Sequence, residues 1–394
     1  MLKHNIIFNI QVIQLIGFFI ALLISYLLTP LIRTRAFKLG VLDKPDERKI
    51  HETPVPRLGG VSIYVSLFLT SLIFITIYWN YHVSLGGALS LLGIVAGGTV
   101  IFLLGLLDDI EPLPALLKLF IQVLAATVAW LLGVKIMSII NPLYHADFKI
   151  FEISTGNPSI QFSPLISYLI TLLWIVGITN ATNLIDGMDG LATGVSLISA
   201  LAIWSVAVDF RINQPAVALM TATLAGGLLG FLRWNFNPAR IFLGDSGAYL
   251  TGFVLAALAV SCATKKVALV TIAPVLILIF ALPIVDTSFA IIRRTLSRKS
   301  ILEPDTGHLH HRVLATGLSQ KITSYLFYLV TAFFGFCATF LVSNKSILRF
   351  LFLSIITVLV ALFYTFIINW KHQKMFRDVI ARNGEAVTKQ SQTD

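Results

Sequence analysis

Long apolar runs recur along the whole chain, each broken by a short interval of charged residues, Gly, Pro or Asn. A helix needs about 20 mostly apolar residues to cross the hydrocarbon of a bilayer. Eleven runs approach or exceed that length, near residues 10–29, 60–79, 85–107, 115–137, 164–180, 191–209, 215–233, 247–264, 267–291, 323–343 and 347–369. The first is too long for the apolar region of a signal peptide, and no small-residue cleavage site follows it, so it reads as a retained span. The pattern predicts an all-α, polytopic integral membrane protein of about eleven transmembrane helices. Residues 1–370 form one transmembrane domain in this reading, and 371–394 a polar tail that extends the last helix and then frays.

Composition agrees: 57% of the 394 residues are apolar and 12% charged, against about 25% charged in soluble domains. The net charge of +10 would suit a nucleic-acid binder, but its distribution argues otherwise. With the N-terminus outside, intervals 30–59, 108–118, 180–190, 234–246, 292–322 and 370–394 fall in the cytoplasm. Of the 29 Lys and Arg, 21 lie on that side, span ends included, and 8 on the other. This satisfies the positive-inside rule and predicts a cytoplasmic C-terminus. The basic excess therefore reports orientation and attraction to anionic lipid, and no nucleic-acid partner is expected.

The carboxylates are skewed as well. Of 19 Asp and Glu, only Asp147, Glu152 and Asp209 fall outside, although acidic residues contribute little to orientation. Six of the others, Asp108, Asp109, Asp186, Asp189, Asp245 and Asp286, sit at the ends of apolar runs. A charge near hydrocarbon costs about 2.5–3.5 kcal/mol even on the mild insertion scale. Such groups persist where they face a wet cavity, a partner charge or a metal. Gathered on one face, they would form a polyanionic pocket that calls for a divalent cation.

The motifs around them sharpen this expectation. After Asp108 and Asp109, Pro112 and Pro114 announce a new helix with Lys118 in its first turn and Gln122 one turn on. Cations are favoured at helix C-termini, so Lys118 points to an anion or to a carboxylate to balance. In "NATNLIDGMDG", Asn180, Asn183, Asp186 and Asp189 recur at three-residue steps, which holds them on one broad side of a helical end. An Asn/Asp/Gly turn explains the last part of that motif, but not two Asn within an apolar run. In "FLGDSGAYLTG", Asp245 is either an N-cap or a metal ligand facing phosphate at a helix start. A P-loop is excluded because the Gly-Lys-Ser/Thr ending is absent.

"GHLHHRV" places His308, His310, His311 and Arg312 in a polar interval; irregular spacing and the lack of a cysteine partner disfavour zinc. A loop contacting phosphate or another polar ligand fits better. "DKPDERKIHETPVPRLGG" carries Lys49, His51 and Arg57 before the pair Gly59 and Gly60, which lets backbone come close to a neighbour. Asp286 followed by Arg293 and Arg294 reads as a polar pair or an orientation signal. Cys262 and Cys337 lie in separate spans without ligand spacing and read as small buried hydrophobes. Residues 138–163 form the longest external segment, a short loop structure. No internal repeat is evident, which weakens a secondary transporter with carboxylates at mid-bilayer. A purely structural anchor would leave the buried charges unexplained.

In order and wording, "KPDERKIHETPVPRLGG", "LLDD" with Lys118, "NATNLIDGMDGLA", "FLGDSGAYLTGF" and "HLHHR" resemble the polyprenyl-phosphate N-acetylhexosamine-1-phosphate transferases over nearly the whole chain. "HLHHR" is similar to the branch that uses UDP-N-acetylglucosamine and starts cell-envelope polymers such as teichoic acid or O-antigen. Leu309 interrupts the run of three histidines usual in the phospho-N-acetylmuramoyl-pentapeptide branch. The resemblance implies transfer of N-acetylglucosamine 1-phosphate from UDP-N-acetylglucosamine to undecaprenyl (polyprenyl) phosphate, releasing UMP, at the cytoplasmic face of a bacterial plasma membrane. It implies Mg²⁺, with Mn²⁺ as a substitute, on Asp245, and a catalytic group at Asp108 or Asp109 that prepares the acceptor. Lys118 would contact phosphate. Lys49, Arg57, Asn180, Asn183, Asp186, Asp189, His308, His310, His311 and Arg312 would contact the nucleotide sugar, and direct attack is preferred to a phospho-enzyme. A homodimer is compatible with all of this.

Overall fold

The structure is a computed structural model that describes residues 2–43, 54–79, 85–140, 159–209, 212–262, 277–296 and 308–343. Its elements run α1 (Leu2–Leu39), β1 (Leu42–Asp43), β2 (Val55–Pro56), α2 (Gly60–Trp79), α3 (Leu85–Ile110), α4 (Ala115–Leu131), β3 (Ser138–Ile140), β4 (Ser159–Gln161), α5 (Pro164–Leu184), α6 (Leu191–Val208), α7 (Pro215–Asn235), α8 (Gly244–Cys262), α9 (Ala281–Leu296), α10 (Leu309–Leu314) and α11 (Gln320–Ser343). Among the described residues, seven helices are long and apolar enough to cross a membrane: α1, α3, α5, α6, α7, α8 and α11. Shorter apolar stretches, Gly60–Ile73 and Ala115–Leu131, belong to α2 and α4. The chain is a polytopic, helical membrane protein.

Three details depart from the expected eleven spans. The run at 347–369 and the polar tail lie outside the described residues, and the run at 267–291 is described only from residue 277. Its described part yields α9, whose last turn carries Arg293 and Arg294. The all-α expectation holds for the bundle, to which two small antiparallel ribbons are added, β1 with β2 and β3 with β4. Both form where the chain leaves a helix and its backbone groups need other partners. α4 stops at Leu131 short of residue 137, because Gly133 adopts φ +105°. The amides of Gly133 and Val134 then bond back to Trp130 and Ala129 and close the helix end.

Boundaries elsewhere move outward. α3 continues through Ile110 and α5 through Leu184, so Asp108, Asp109, Asn180 and Asn183 all lie within the helices. Their side chains therefore have fixed directions, which a loop would not give them.

α8 is the axis of the bundle. All of its residues from Ser246 to Cys262 are buried, and it packs on α2, α3, α5 and α6. Lipid tails are as apolar as Leu, so close approach in a membrane relies on small residues. The backbone of Gly247 lies against Gly60, Gly105 sits over Asp245 and Ser246, and Gly252 lies against Thr179 and Thr182. α1 is peripheral, packs on α7 and presents Leu15, Phe19, Leu23, Leu27 and Leu31 outward as a lipid-facing stripe.

A Cβ on Gly60 would overlap backbone atoms of Gly247 that cannot swing aside, whereas one on Gly177 meets nothing within 4 Å. Gly60→Ala is expected to lower the Tm of the purified protein sharply. Gly177→Ala should leave it unchanged or raise it, since Ala is favoured over Gly by about 1 kcal/mol in a helix. Equal melting of the two variants would show that the α2–α8 contact is looser than described.

Candidate active site

Five stretches of sequence meet around a cavity of about 340 Å³ at one end of the bundle. The β1–β2 ribbon contributes Asp43 and Arg57, the end of α3 Asp109, and the α5–α6 region Asn183, Asp186 and Asp189. The α7–α8 connection adds Asn235 and Asp245, and the α10–α11 region His311 and Gln320. The ribbon is carried to the cavity by main-chain bonds: Phe242 N–H donates to Pro56, and Gly59 and Gly60 N–H donate to Phe242 and Leu243.

Asp109 and Asp245 form the floor. The first turn of a helix leaves backbone N–H groups without partners; for α8 they are taken by a side chain from another helix. Asp109 Oδ1 accepts from Asp245 N–H (2.8 Å), and Oδ2 accepts from Ser246 N–H (3.0 Å) and the Ser246 hydroxyl (2.6 Å). Asp109 therefore caps α8, the job that the sequence left open for Asp245. The Asp245 carboxylate is free to turn elsewhere, and accepts from Asn183 Nδ2 at 2.6 Å. Its other neighbour is the carboxyl group of Asp108, within hydrogen-bond reach.

Asp186 adds a further negative charge at the same place. Protein atoms surround it except where it lines the cavity. That burial first, then the Asp245 and Asp109 carboxylates, hold its carboxyl well above the usual carboxylate range. Arg57 opposes the trend while forming an ion pair with Asp43. Asp189 behaves differently. Its Oδ2 accepts from Asn237 Nδ2 and from Ala239 N–H, both at 2.9 Å, and Asn237 also donates to Gln320 Oε1 at 3.0 Å. Asp189 thus ties the α5–α6 turn to the α7–α8 connection and to the start of α11.

The histidine motif folds as the short helix α10, with His308 at its N-cap. His308 and His310 are buried, and their rings lie parallel with centroids 5.9 Å apart; His310 and His311 are 4.2 Å apart. The His310 ring rests on Gly187, where a Cβ would overlap it, so only glycine suits the position between Asp186 and Met188. Burial, followed by the nearby His311, pushes the His310 imidazole down to about 3. It is neutral near neutral pH, and its Nε2 has no partner among the described residues. His311 reaches the cavity.

Other expected site residues do not line the cavity. Asp108 accepts from Leu113 N–H (2.7 Å) and Lys118 Nζ (2.9 Å), which balances the lysine within one helical connection. Asn180 pairs reciprocally with Gln122 through both amides, at 2.6 and 3.3 Å, and joins α5 to α4. Arg312 is exposed and does not line the cavity, and Lys49 lies outside the described residues. Asp43, Asn235, Asn237 and Gln320 were not singled out from the sequence. Asn235 and Asn237 follow an apolar run as Asn180 and Asn183 do, so the same criterion applied to "RWNFNPAR" finds them. Asp43 and Gln320 carry no such signal, because only tertiary folding brings them in.

The donor set is one of hard oxygens, with Asp109, Asp186 and Asp245 crowded at one wall. Among the described residues, no three His, Cys, Asp or Glu side chains close into a ready-made ligand cage. Carboxylate oxygens of this kind suit a hard divalent cation.

Sequence comparison agrees with this architecture. Residues 91–263 match the family described as Glycosyl transferase family 4. The chain is 34% identical over 373 residues to the Bacillus subtilis "Probable undecaprenyl-phosphate N-acetylglucosaminyl 1-phosphate transferase", covering 93% of this chain and 97% of that protein. It is 35% identical over 341 residues to the decaprenyl-phosphate N-acetylglucosaminephosphotransferase of Mycolicibacterium smegmatis, with 81% and 79% covered. To the undecaprenyl-phosphate alpha-N-acetylglucosaminyl 1-phosphate transferase of Thermotoga maritima it is 30% identical over 343 residues, with 86% and 94% covered. The chain belongs to glycosyl transferase family 4, the polyprenyl-phosphate N-acetylhexosamine-1-phosphate transferases.

Proposed function

We propose that the cavity transfers N-acetylglucosamine 1-phosphate from UDP-N-acetylglucosamine to undecaprenyl or a similar polyprenyl phosphate, the opening membrane step of a cell-envelope polymer. One observation carries this reading: a crowded carboxylate wall at the end of a lipid-embedded bundle, in a chain whose relatives over most of its length are named for that transfer. An oxygen of the acceptor phosphate bonds to the phosphorus that carries the sugar. The bond from that phosphorus to the bridging oxygen breaks, and UMP leaves carrying that oxygen. Phosphoryl transfer of this kind depends mainly on positioning and on charge stabilisation.

The residues divide that work. Asp245, aimed by Asn183, and Asp186 are the groups to hold Mg²⁺, which when bound screens the charge of the two donor phosphates. Asp109 keeps the α8 terminus, and with it Asp245, in place. Asp108, beside Asp245 and bound to Lys118, is the group assigned to the acceptor phosphate, with Lys118 drawing the phosphate in. Arg57 and His311 face the donor, and Asp189 fixes the walls around it. Orientation follows the basic residues: the site faces the cytoplasm of a plasma membrane, where nucleotide sugars are made and the acceptor headgroup lies.

Purified protein with undecaprenyl phosphate and Mg²⁺ should release UMP from UDP-N-acetylglucosamine in preference to other UDP-sugars. Comparable release from the whole panel would reject the proposed donor. Asp245→Asn should cut turnover by about 10²-fold or more with an unchanged Tm. Asp109→Asn should lose activity and Tm together, because it turns an amide N–H₂ toward buried donors, at a cost of about 1–3 kcal/mol. If Asp109→Asn melts like the parent protein, the capping role is wrong.

Cation binding must displace the proton that Asp186 retains above the ordinary carboxylate range. Mn²⁺ affinity, measured by electron paramagnetic resonance, should therefore rise with pH across that range, and Asp186→Asn should flatten the slope. Linkage without metal has the opposite sign. A raised folded pKa means that stability falls as pH rises from the ordinary carboxylate value through the raised one. A pH-independent Mn²⁺ affinity in the parent protein would remove Asp186 from the cation site. A cysteine placed at exposed Arg240 should be labelled only from the cytoplasmic side, and labelling from outside would invert the proposed orientation.

A further inference from the structure

Asp286 belongs to no part of the site described so far, and it does not line the cavity. It lies in α9 and is 3% exposed. A carboxylate in such surroundings is costly unless its oxygens are satisfied. Both are, and by the same short element: Oδ1 accepts from Leu309 N–H at 2.8 Å, and Oδ2 lies 3.1 Å from His308 Nδ1.

The receiving element needs that help. α10 has only six residues, and a single helical turn or two is marginal without tertiary support. His308 occupies the N-cap but makes no side-chain cap bond, so the first N–H of α10 is met by Asp286 from another helix. Two layers then separate Asp286 from the cavity. His310 stacks parallel to His308 and presses on Gly187, and His311, adjacent to His310, lines the cavity. α9 in turn packs on α5, the helix that leads into Asp186.

We propose that Asp286 is a positioning residue for the nucleotide-sugar side of the site: it anchors His308 and the start of α10, and thereby sets where His310 meets Gly187 and where His311 enters the cavity. A carboxylate only accepts hydrogen bonds, so it also selects the tautomer of neutral His308 with the proton on Nδ1. The inference rests on the proposed transferase reading for its kinetic consequence, and on geometry alone for its structural one.

Asp286→Asn separates the two. The amide can still accept from Leu309 N–H, but it turns N–H₂ toward His308 Nδ1, which must then become an acceptor. In protein carrying ¹⁵N-histidine, the His308 resonances should switch from the Nδ1–H to the Nε2–H pattern. KM for UDP-N-acetylglucosamine should rise by about tenfold or more, the scale of a charged hydrogen bond. KM for polyprenyl phosphate should stay within about twofold, and Tm should be close to that of the parent. His308→Ala should reproduce the KM split, and the double variant should be no worse than the poorer single one, since both act through one path. If Asp286→Asn folds poorly, His308→Ala alone still decides, because it removes the relay and leaves the bond from Leu309 to Asp286.

Unchanged His308 tautomer and KM in Asp286→Asn would overturn the proposal. So would equal losses toward both substrates in step with Tm, which would make Asp286 a packing residue. Parent protein that releases no UMP from UDP-N-acetylglucosamine would reject the donor assignment instead, and the ¹⁵N signature would still report on the tether.

Discussion

The carboxylate of Asp109 joins the parts of this molecule that matter most. It sits in the last turn of α3 and accepts the first amides of α8, so the end of one apolar helix completes the start of another. Neither end could remain unpaired at that depth, where water is scarce and an unmet donor costs as much as a lost hydrogen bond. This one interaction sets the height of α8, the helix on which α2, α3, α5 and α6 pack. It also frees Asp245 from capping its own helix and leaves its side chain for the cavity.

Close approach makes that arrangement possible. Gly60 against Gly247, and Gly105 against Asp245 and Ser246, bring three backbones into contact at the level of the acid cluster. Larger residues there would lift α2 and α3 away from α8, and the Asp109 bonds would lengthen. The polar site and the glycine contacts are therefore one construction. The glycines determine distance, and the carboxylates use it.

Around that core the polar residues separate into those that face the cavity and those that hold others in place. Asp186, Asp245, Arg57 and His311 face it. Asp189 also lines it but is occupied by Asn237 and Ala239; away from the cavity, Asn180 is occupied by Gln122, and Asp286 by His308 and Leu309. Burial first, and then the Asp245 and Asp109 carboxylates, raise the Asp186 pKa against the opposing charge of Arg57, the expected signature of a site built for a positive charge. The second group spends its hydrogen bonds on geometry. Both kinds of residue look alike in the sequence, since each is a polar group beside an apolar run.

The alternation of apolar runs and polar intervals was sufficient to determine that the chain is polytopic and helical, because a bilayer admits few other solutions. The same logic marked nearly every residue of the acid wall, since a charge at the end of such a run demands a reason. The sequence could not assign the partners. Whether Asp109 or Asp245 caps α8 depends on where α3 ends, and α3 runs past the boundary that hydropathy suggests. Asp43, Gln320 and Asp286 were invisible or discounted for a related reason. Their roles come from residues 14, 83 and 22 positions away along the chain, and hydropathy carries no information about which distant ends will touch. Tertiary packing decided that, through small-residue contacts a few ångströms wide.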